Sequence, residues 1–156
     1  MRGHARNIMT ERVTAIAPDT ALPLIAATLV AQGFGGVPVV DESDRVIGFV
    51  SEIDLMDALL RDSPHETLAR DIMSSPAITI DEFAPAEEAM TMLRQRGIHH
   101  LPVVRQGRLV GIIAPVDVLV SESTGRHLDD AVSLSPPRSL QIRGRTVPLT
   151  VRVPAA

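Results

Sequence analysis

The sequence predicts a mixed α/β fold of the α+β type: two β-α-β-β-α repeats packed about a pseudo-two-fold axis, with a C-terminal extension that forms a short β-hairpin. Three observations predict it. Shifting the chain by 64 positions lays Ala5 to Thr10 on Ala69 to Ser74, Ile16 on Ile80, Leu29 on Leu93, Gly33 on Gly97, and Pro38-Val39-Val40 on Pro102-Val103-Val104. One residue then drops out in a turn, and at a shift of 63 Arg45 meets Arg108, Gly48 meets Gly111 and Asp54 meets Asp117. Each copy also carries one stretch of helical periodicity, followed by two short apolar runs around a polar turn. A unit of roughly 60 residues buries too little surface to be comfortably stable alone, so the two copies are expected to share one body.

In chain order, a short strand is expected around Val13 to Ile16, with its counterpart around Ile78 to Ile80. Leu22, Ile25, Ala26, Leu29 and Val30 then recur at the spacing of one helix face, with Pro23 tolerated in the first turn and Gly33 placed to stop the helix. Ala86, Ala89, Met90 and Leu93 do the same in the second copy. The apolar run around Pro38, the polar turn Asp41 to Asp44 and the run Val46 to Val50 read as a β-hairpin. So do the run around Pro102, the turn Arg105 to Arg108 and the run Leu109 to Ile113. A second helix follows, from Ser51 to the region of Arg61 and from Pro115 to the region of Glu122. Ser63-Pro64-His65-Glu66 reads as a capping box with Pro at the first helical position, so the connection is an ordered helical turn. The expected organisation is repeat 1 at 5–61, a helical linker at 62–70, repeat 2 at 71–122 and a basic tail at 123–156.

The 156 residues are 45% apolar, enough for a core, and lack Cys, Trp, Tyr and Lys, so that all 15 basic residues are Arg. Without Cys there is no thiol nucleophile, disulfide framework or thiolate metal site. Without Lys there is no Schiff base and no phosphate-loop lysine. Phe34, Phe49 and Phe83 are the only aromatics, too few for a stacking platform for single-stranded nucleic acid. A net charge of −4 argues against a surface that coats DNA or an anionic membrane. The first ten residues lack the apolar core of a signal peptide, and the longest apolar stretch, Ala21 to Ala31, is short of the roughly 20 residues that span a bilayer, so a cytoplasmic protein is expected.

The run GFGGVPVVDESDRVIGFVSEIDLM, its partner RGIHHLPVVRQGRLVGIIAPVDVL and the IMT and IMS openings resemble a tandem pair of cystathionine-β-synthase (CBS) domains, a Bateman module. The pattern occurs twice in register, which makes the resemblance specific. It implies a disc-like pair with two clefts, often dimeric, binding adenosine-containing ligands such as AMP, ADP, ATP or S-adenosylmethionine.

The resemblance also implies that a ribose-binding carboxylate opens the helix after each hairpin, as Asp54 and Asp117, with a hydroxyl residue three positions earlier. That position is Ser51 in the first copy but Ala114 in the second. A carboxylate suits vicinal hydroxyls, each charge-assisted hydrogen bond being worth about 1.5–3 kcal/mol, and helix N-terminal amides favour phosphate. Ser51-Glu52-Ile53-Asp54 fits a helix cap equally well. Ala114 cannot cap, which makes Asp117 the stronger ligand candidate, with a helix-dipole role as the alternative. By the same resemblance one cleft combines Asp117, Ile98, His99 and His100 with Thr10, Val13 and Ala15. The other combines Asp54, Ser51, Gly35 and Gly36 with Ser74, Ala77 and Thr79. His100 stands where many relatives carry Arg or His facing phosphate, so its cleft is expected to prefer a phosphorylated ligand, more weakly as pH rises from about 6 to about 8.

Other readings of these residues fail on spacing. Adjacent histidines in an extended segment point to opposite faces, so His99 and His100 are not expected to chelate one metal. Gly33, Gly35 and Gly36 follow a helix and precede a strand, the reverse of a dinucleotide fingerprint. Ser51 is not in a nucleophile elbow, and Met9, Met56, Met73, Met90 and Met92 read as packing.

Beyond Glu122 the repeat ends and Ser133 to Pro137 reads as a linker. Leu140 and Ile142 alternate with polar residues, Arg143-Gly144-Arg145 turns the chain, and Val147, Leu149, Val151 and Val153 alternate again, as in a hairpin or pairing arm. Arg138, Arg143, Arg145 and Arg152 lack aromatic neighbours and read as a solvated strand face rather than a nucleic-acid surface. The expected function is a stand-alone, homodimeric regulatory module for which an adenine nucleotide is a regulatory ligand rather than a catalytic cofactor. It would act on an unidentified partner protein and use neither nucleic acid nor membrane. The alternative is a structural dimerisation module with vestigial clefts and function in the tail; catalysis is the weakest reading.

Overall fold

The computed structural model describes residues 3–61 and 64–119, together with the backbone of two short strands in the tail. The first repeat contains α1 (Ala5–Ile8), α2 (Leu22–Gln32), β1 (Gly36–Val40), β2 (Val46–Ser51) and α3 (Glu52–Leu59). A single 3-10 turn at Pro64–Glu66 leads into the second repeat, which contains α4 (Ala69–Ile72), β3 (Ile80–Asp81), α5 (Ala86–Arg96), β4 (Leu101–Arg105), β5 (Arg108–Ile113) and α6 (Pro115–Leu119). Ser63, the expected cap of the linker turn, lies outside the described residues. In the tail, β6 (Arg138–Leu140) pairs antiparallel with β7 (Leu149–Val151), Leu140 facing Leu149. The expected turn at Arg143 to Arg145 and the linker Ser133 to Pro137 also lie outside the described residues.

The long helices end where glycine permits a left-handed residue: Gly33 at φ 68° and Gly97 at φ 61°, each donating its N–H four residues back, to Leu29 and Leu93. The two hairpins turn differently. Gln106 and Gly107 both have positive φ, as a two-residue turn matched to strand twist requires. The longer first turn is held by Asp41, whose Oδ1 accepts from the N–H groups of Ser43 and Arg45. The expected strand at Val13 to Ile16 shrinks to one residue. Ile16 alone bridges β1, donating to Pro38 and accepting from Val40, before Pro18 interrupts the chain.

The two repeats exchange their opening helices. Ala5 and Ile8 of α1 are buried with Ile80, Ala86, Ala89, Leu93, Leu101, Val103 and Ile113 of the second repeat. Conversely, Ala69 and Ile72 of α4 are buried with Ile16, Leu22, Ile25, Leu29, Val37, Val39 and Val50 of the first. After each helix the chain bonds to the other repeat's hairpin, Thr10 with Ile112 and Ser74 with Phe49, each pair by two reciprocal N–H to carbonyl bonds. The preceding methionines cross glycines. A Cβ on Gly48 would stand 2.5 Å from Met73 Sδ, and one on Gly111 would collide with Met9. The hairpin tips also join, Val46 donating to Gly107 and Leu109 to Asp44. These equivalent contacts define the pseudo-two-fold relation, and they hold each repeat's β-hairpin beside the opening segment of the other.

Candidate ligand cleft

That juxtaposition leaves a cleft of about 380 Å³, within the range that accepts small ligands. Ser51 closes β2 and caps α3. Its Oγ accepts the Asp54 N–H at 3.2 Å, while Asp54 Oδ2 accepts from the Ser51 N–H and the Ser51 hydroxyl, both at 2.8 Å. The capping reading of this segment is therefore realised. It engages one oxygen of a half-buried carboxylate that lines the cleft, and Oδ1 has no hydrogen-bond partner among the described residues. Capping and a free acceptor coexist in the same side chain.

Gly35, Ser74 and Ala77 line this cleft together with Ser51 and Asp54. Gly36 and Thr79 are outside the lining. Gly36 is buried under Phe49, whose ring leaves no room for a Cβ there. Ile98, His99 and His100 line this same cleft, which corrects their expected grouping with Asp117. The cause is the pseudo-two-fold itself, which lays the segments before β1 and β4 side by side. A Cβ on Gly35 would stand 3.0 Å from His100 Cε1.

His100 is stacked on Phe49 of the first repeat, with ring centroids 5.5 Å apart and planes at 23°. Burial pushes the His100 imidazole below its ordinary value of 6.5, the neighbouring His99 pushes it the same way, and Glu52 opposes both. The expected phosphate-facing cation is therefore a mainly neutral ring in a stack. Phe49, Glu52 and Ile78 line the cleft and escaped the sequence reading. Phe49 stands where the second copy has Ile112, so an aromatic in a chain with three of them was the available signal.

The sister carboxylate is differently placed. Asp117 is only 6% exposed; its Oδ2 accepts the Ala114 N–H at 2.8 Å and its Oδ1 accepts the Thr10 hydroxyl at 3.2 Å. Half of the capping box thus survives without a capping hydroxyl: the Asp117 N–H goes to the Ala114 carbonyl, and the Thr10 hydroxyl, from the opening segment of the chain, donates to the carboxylate. Thr10 and Asp117, expected on opposite walls of one ligand cleft, are thus bonded to each other in the structure. Val13 and Ala15 are half-buried between Thr10 and Ile16. A second internal carboxylate, Glu82, is 1% exposed and pairs with both Arg105 Nε and, at 2.8 Å, Arg105 Nη2. Among the described residues no group of three or more His, Asp or Glu could hold a metal ion, and no helix is long and apolar enough to cross a membrane.

Comparison with known proteins matches the family described as CBS domain to residues 5–61 and 69–122. An uncharacterized protein of Methanopyrus kandleri, MK0525, is 37% identical over 113 residues, covering 70% of this chain and 57% of its own length. One of Methanocaldococcus jannaschii, MJ1225, is 27% identical over 114 residues; this chain spans 41% of it. Among solved structures, CBSX2 in complex with AMP superposes with a TM-score of 0.70 at 23% identity, covering 81% of this chain and 98% of that one. The CBS domain pair of protein MJ0100, in complex with 5′-methylthioadenosine and S-adenosylmethionine, gives 0.67 at 22% identity, covering 81% and 99%.

Proposed function

The chain belongs to the CBS-domain family, as a tandem pair of its repeats, and on that premise we propose that it is a regulatory module whose Asp54 cleft binds an adenosine-containing ligand. The observation that carries this reading is the free acceptor of Asp54 in a cleft walled by both repeats. A ribose diol would hydrogen-bond to that carboxylate, with Ile78, Ile98 and Pro76 as apolar surface for the base. CBSX2, whose structure holds AMP, and MJ0100, whose structure holds 5′-methylthioadenosine and S-adenosylmethionine, are relatives in fold that bind ligands of this class. A ligand touching Ser51 and Asp54 on one side, and Ser74, Ala77 and His100 on the other, binds one arrangement of the repeats better than another. Only that difference in affinity makes it a signal.

We read the module as a switch rather than a catalyst, acting through its own assembly or a partner protein. A homodimer is part of this reading. Met56 and Leu60 on and just after α3, 61% and 88% exposed, and Leu119 on α6, 68% exposed, are the apolar faces a second copy would cover. Thermal unfolding of the full chain with adenosine, AMP, ATP, 5′-methylthioadenosine and S-adenosylmethionine tests the binding reading. A rise in melting temperature with at least one of them is expected. No response to any would replace it with the alternative of a structural dimerisation module.

A further inference from the structure

Among the described residues, the charged side chains that line the cleft are the carboxylates of Glu52 and Asp54 and no arginine is among them; the chain contains no lysine. Glu52 and Asp54 occupy the first turn of α3, so the helix end that would otherwise attract an anion already carries two negative groups. Glu52 reaches the same spot as the histidine stack. Its Cδ lies 3.9 Å from where a Cβ on Gly35 would stand, the point that His100 Cε1 approaches to 3.0 Å. His100 offers little compensation, because burial holds its ring below the ordinary value and hence mostly neutral near pH 7.

We infer that Glu52 makes this cleft select adenosine ligands by the charge of the 5′ substituent, accepting a neutral thioether or a cationic sulfonium in preference to a phosphate. The inference rests on the adenosine reading above and deepens it. With the ribose held by Asp54, a 5′ group that stays in the cleft would share it with both carboxylates, since Glu52 and Asp54 line the same space. There a phosphate dianion meets repulsion with no fixed cation among the described lining residues to offset it, and a sulfonium meets attraction.

Calorimetric titration of the full chain with 5′-methylthioadenosine, S-adenosylmethionine and AMP tests this. The two sulfur compounds are expected to bind at least about tenfold more tightly than AMP, a difference of about 1.4 kcal/mol. Glu52→Gln should narrow that gap about two- to fivefold, since Glu52 is exposed and its charge is partly screened. Raising salt from about 50 mM to about 500 mM should strengthen AMP binding and weaken S-adenosylmethionine binding. AMP binding as tightly as 5′-methylthioadenosine overturns the inference and leaves the adenosine reading intact. A gap unaltered by both Glu52→Gln and salt removes Glu52 from the explanation and overturns it equally. If none of the three binds, the adenosine reading itself falls, and the inference with it.

Discussion

The hydroxyl of Thr10 donates to Oδ1 of Asp117 at 3.2 Å, across 107 positions of the chain. Asp117 thereby ties the opening segment of the chain to the end of the second hairpin. Asp117→Ala leaves the Thr10 hydroxyl and the Ala114 N–H without their acceptor and should cost about 1–3 kcal/mol of stability. The rise in melting temperature caused by an adenosine ligand should survive. Urea unfolding with and without ligand separates the two quantities, and an unchanged midpoint accompanied by lost ligand response would refute this assignment.

Asp54 should behave in the opposite way. Asp54→Ala removes a cap worth about 0.5–2 kcal/mol, but it should also abolish the stabilisation by ligand. For the unaltered protein that stabilisation amounts to about 2.7 kcal/mol at 100 times the dissociation constant. Asp54→Asn keeps the shape and one acceptor, so partial response is expected. Full response in Asp54→Ala would exclude the cleft as the binding place.

Acidification should weaken the fold in two stages. His100 lies below its ordinary 6.5, chiefly through burial, so the unfolded chain binds its proton first and stability falls as pH drops below 6.5. Glu82 lies below its ordinary 4.5, chiefly through its hydrogen bond from Arg105, then through the charges of Arg105 and Arg6 against an opposing effect of burial. Its contribution is present above 4.5 and lost as pH falls through the lowered value. Urea midpoints measured from about pH 8 to about pH 2 should show both descents. His100→Gln should remove the upper one, and Arg105→Gln should lower the midpoint near neutral pH and remove the lower descent, because burial then opposes the Glu82 charge without its main partner. A midpoint that stays level through the histidine range in the unaltered protein would contradict the first stage.

Gly48 and Met73 fix how closely the exchanged segment approaches β2. A Cβ at position 48 would stand 2.5 Å from Met73 Sδ and 3.0 Å from the Ser74 carbonyl oxygen. Gly48→Ala should therefore cost about 1–3 kcal/mol by overpacking. Met73→Ala in the same background should recover part of that loss, a coupling readable from a double-mutant cycle. Strictly additive losses would show that the backbone rather than the methionine carries the conflict.

The elements themselves were legible wherever the signal was local. Gly33 and Gly97 end their helices because only a left-handed residue closes them there, and the polar turns between apolar runs form hairpins. The repeat also foretold equivalent contacts in the two halves. Which half each opening helix serves was not legible, because Ala5 and Ala69 present the same local pattern and only tertiary packing assigns them to opposite cores. The same exchange hid the position of His100 beside Phe49 and the capture of Asp117 by Thr10. Glu82 was invisible for a related reason: its buried charge is satisfied by Arg105, 23 residues away.

A cut in the chain between the repeats would leave each half carrying a peg shaped for the other half's socket. Neither half is a miniature of the whole, yet because peg and socket are near copies, two identical halves could trade pegs and close upon each other. The tandem chain thus has the form of a symmetric pair whose members have been joined by a tether and then allowed to diverge. One carboxylate is bonded into the joinery by the Thr10 hydroxyl, while its twin keeps one oxygen without a partner among the described residues.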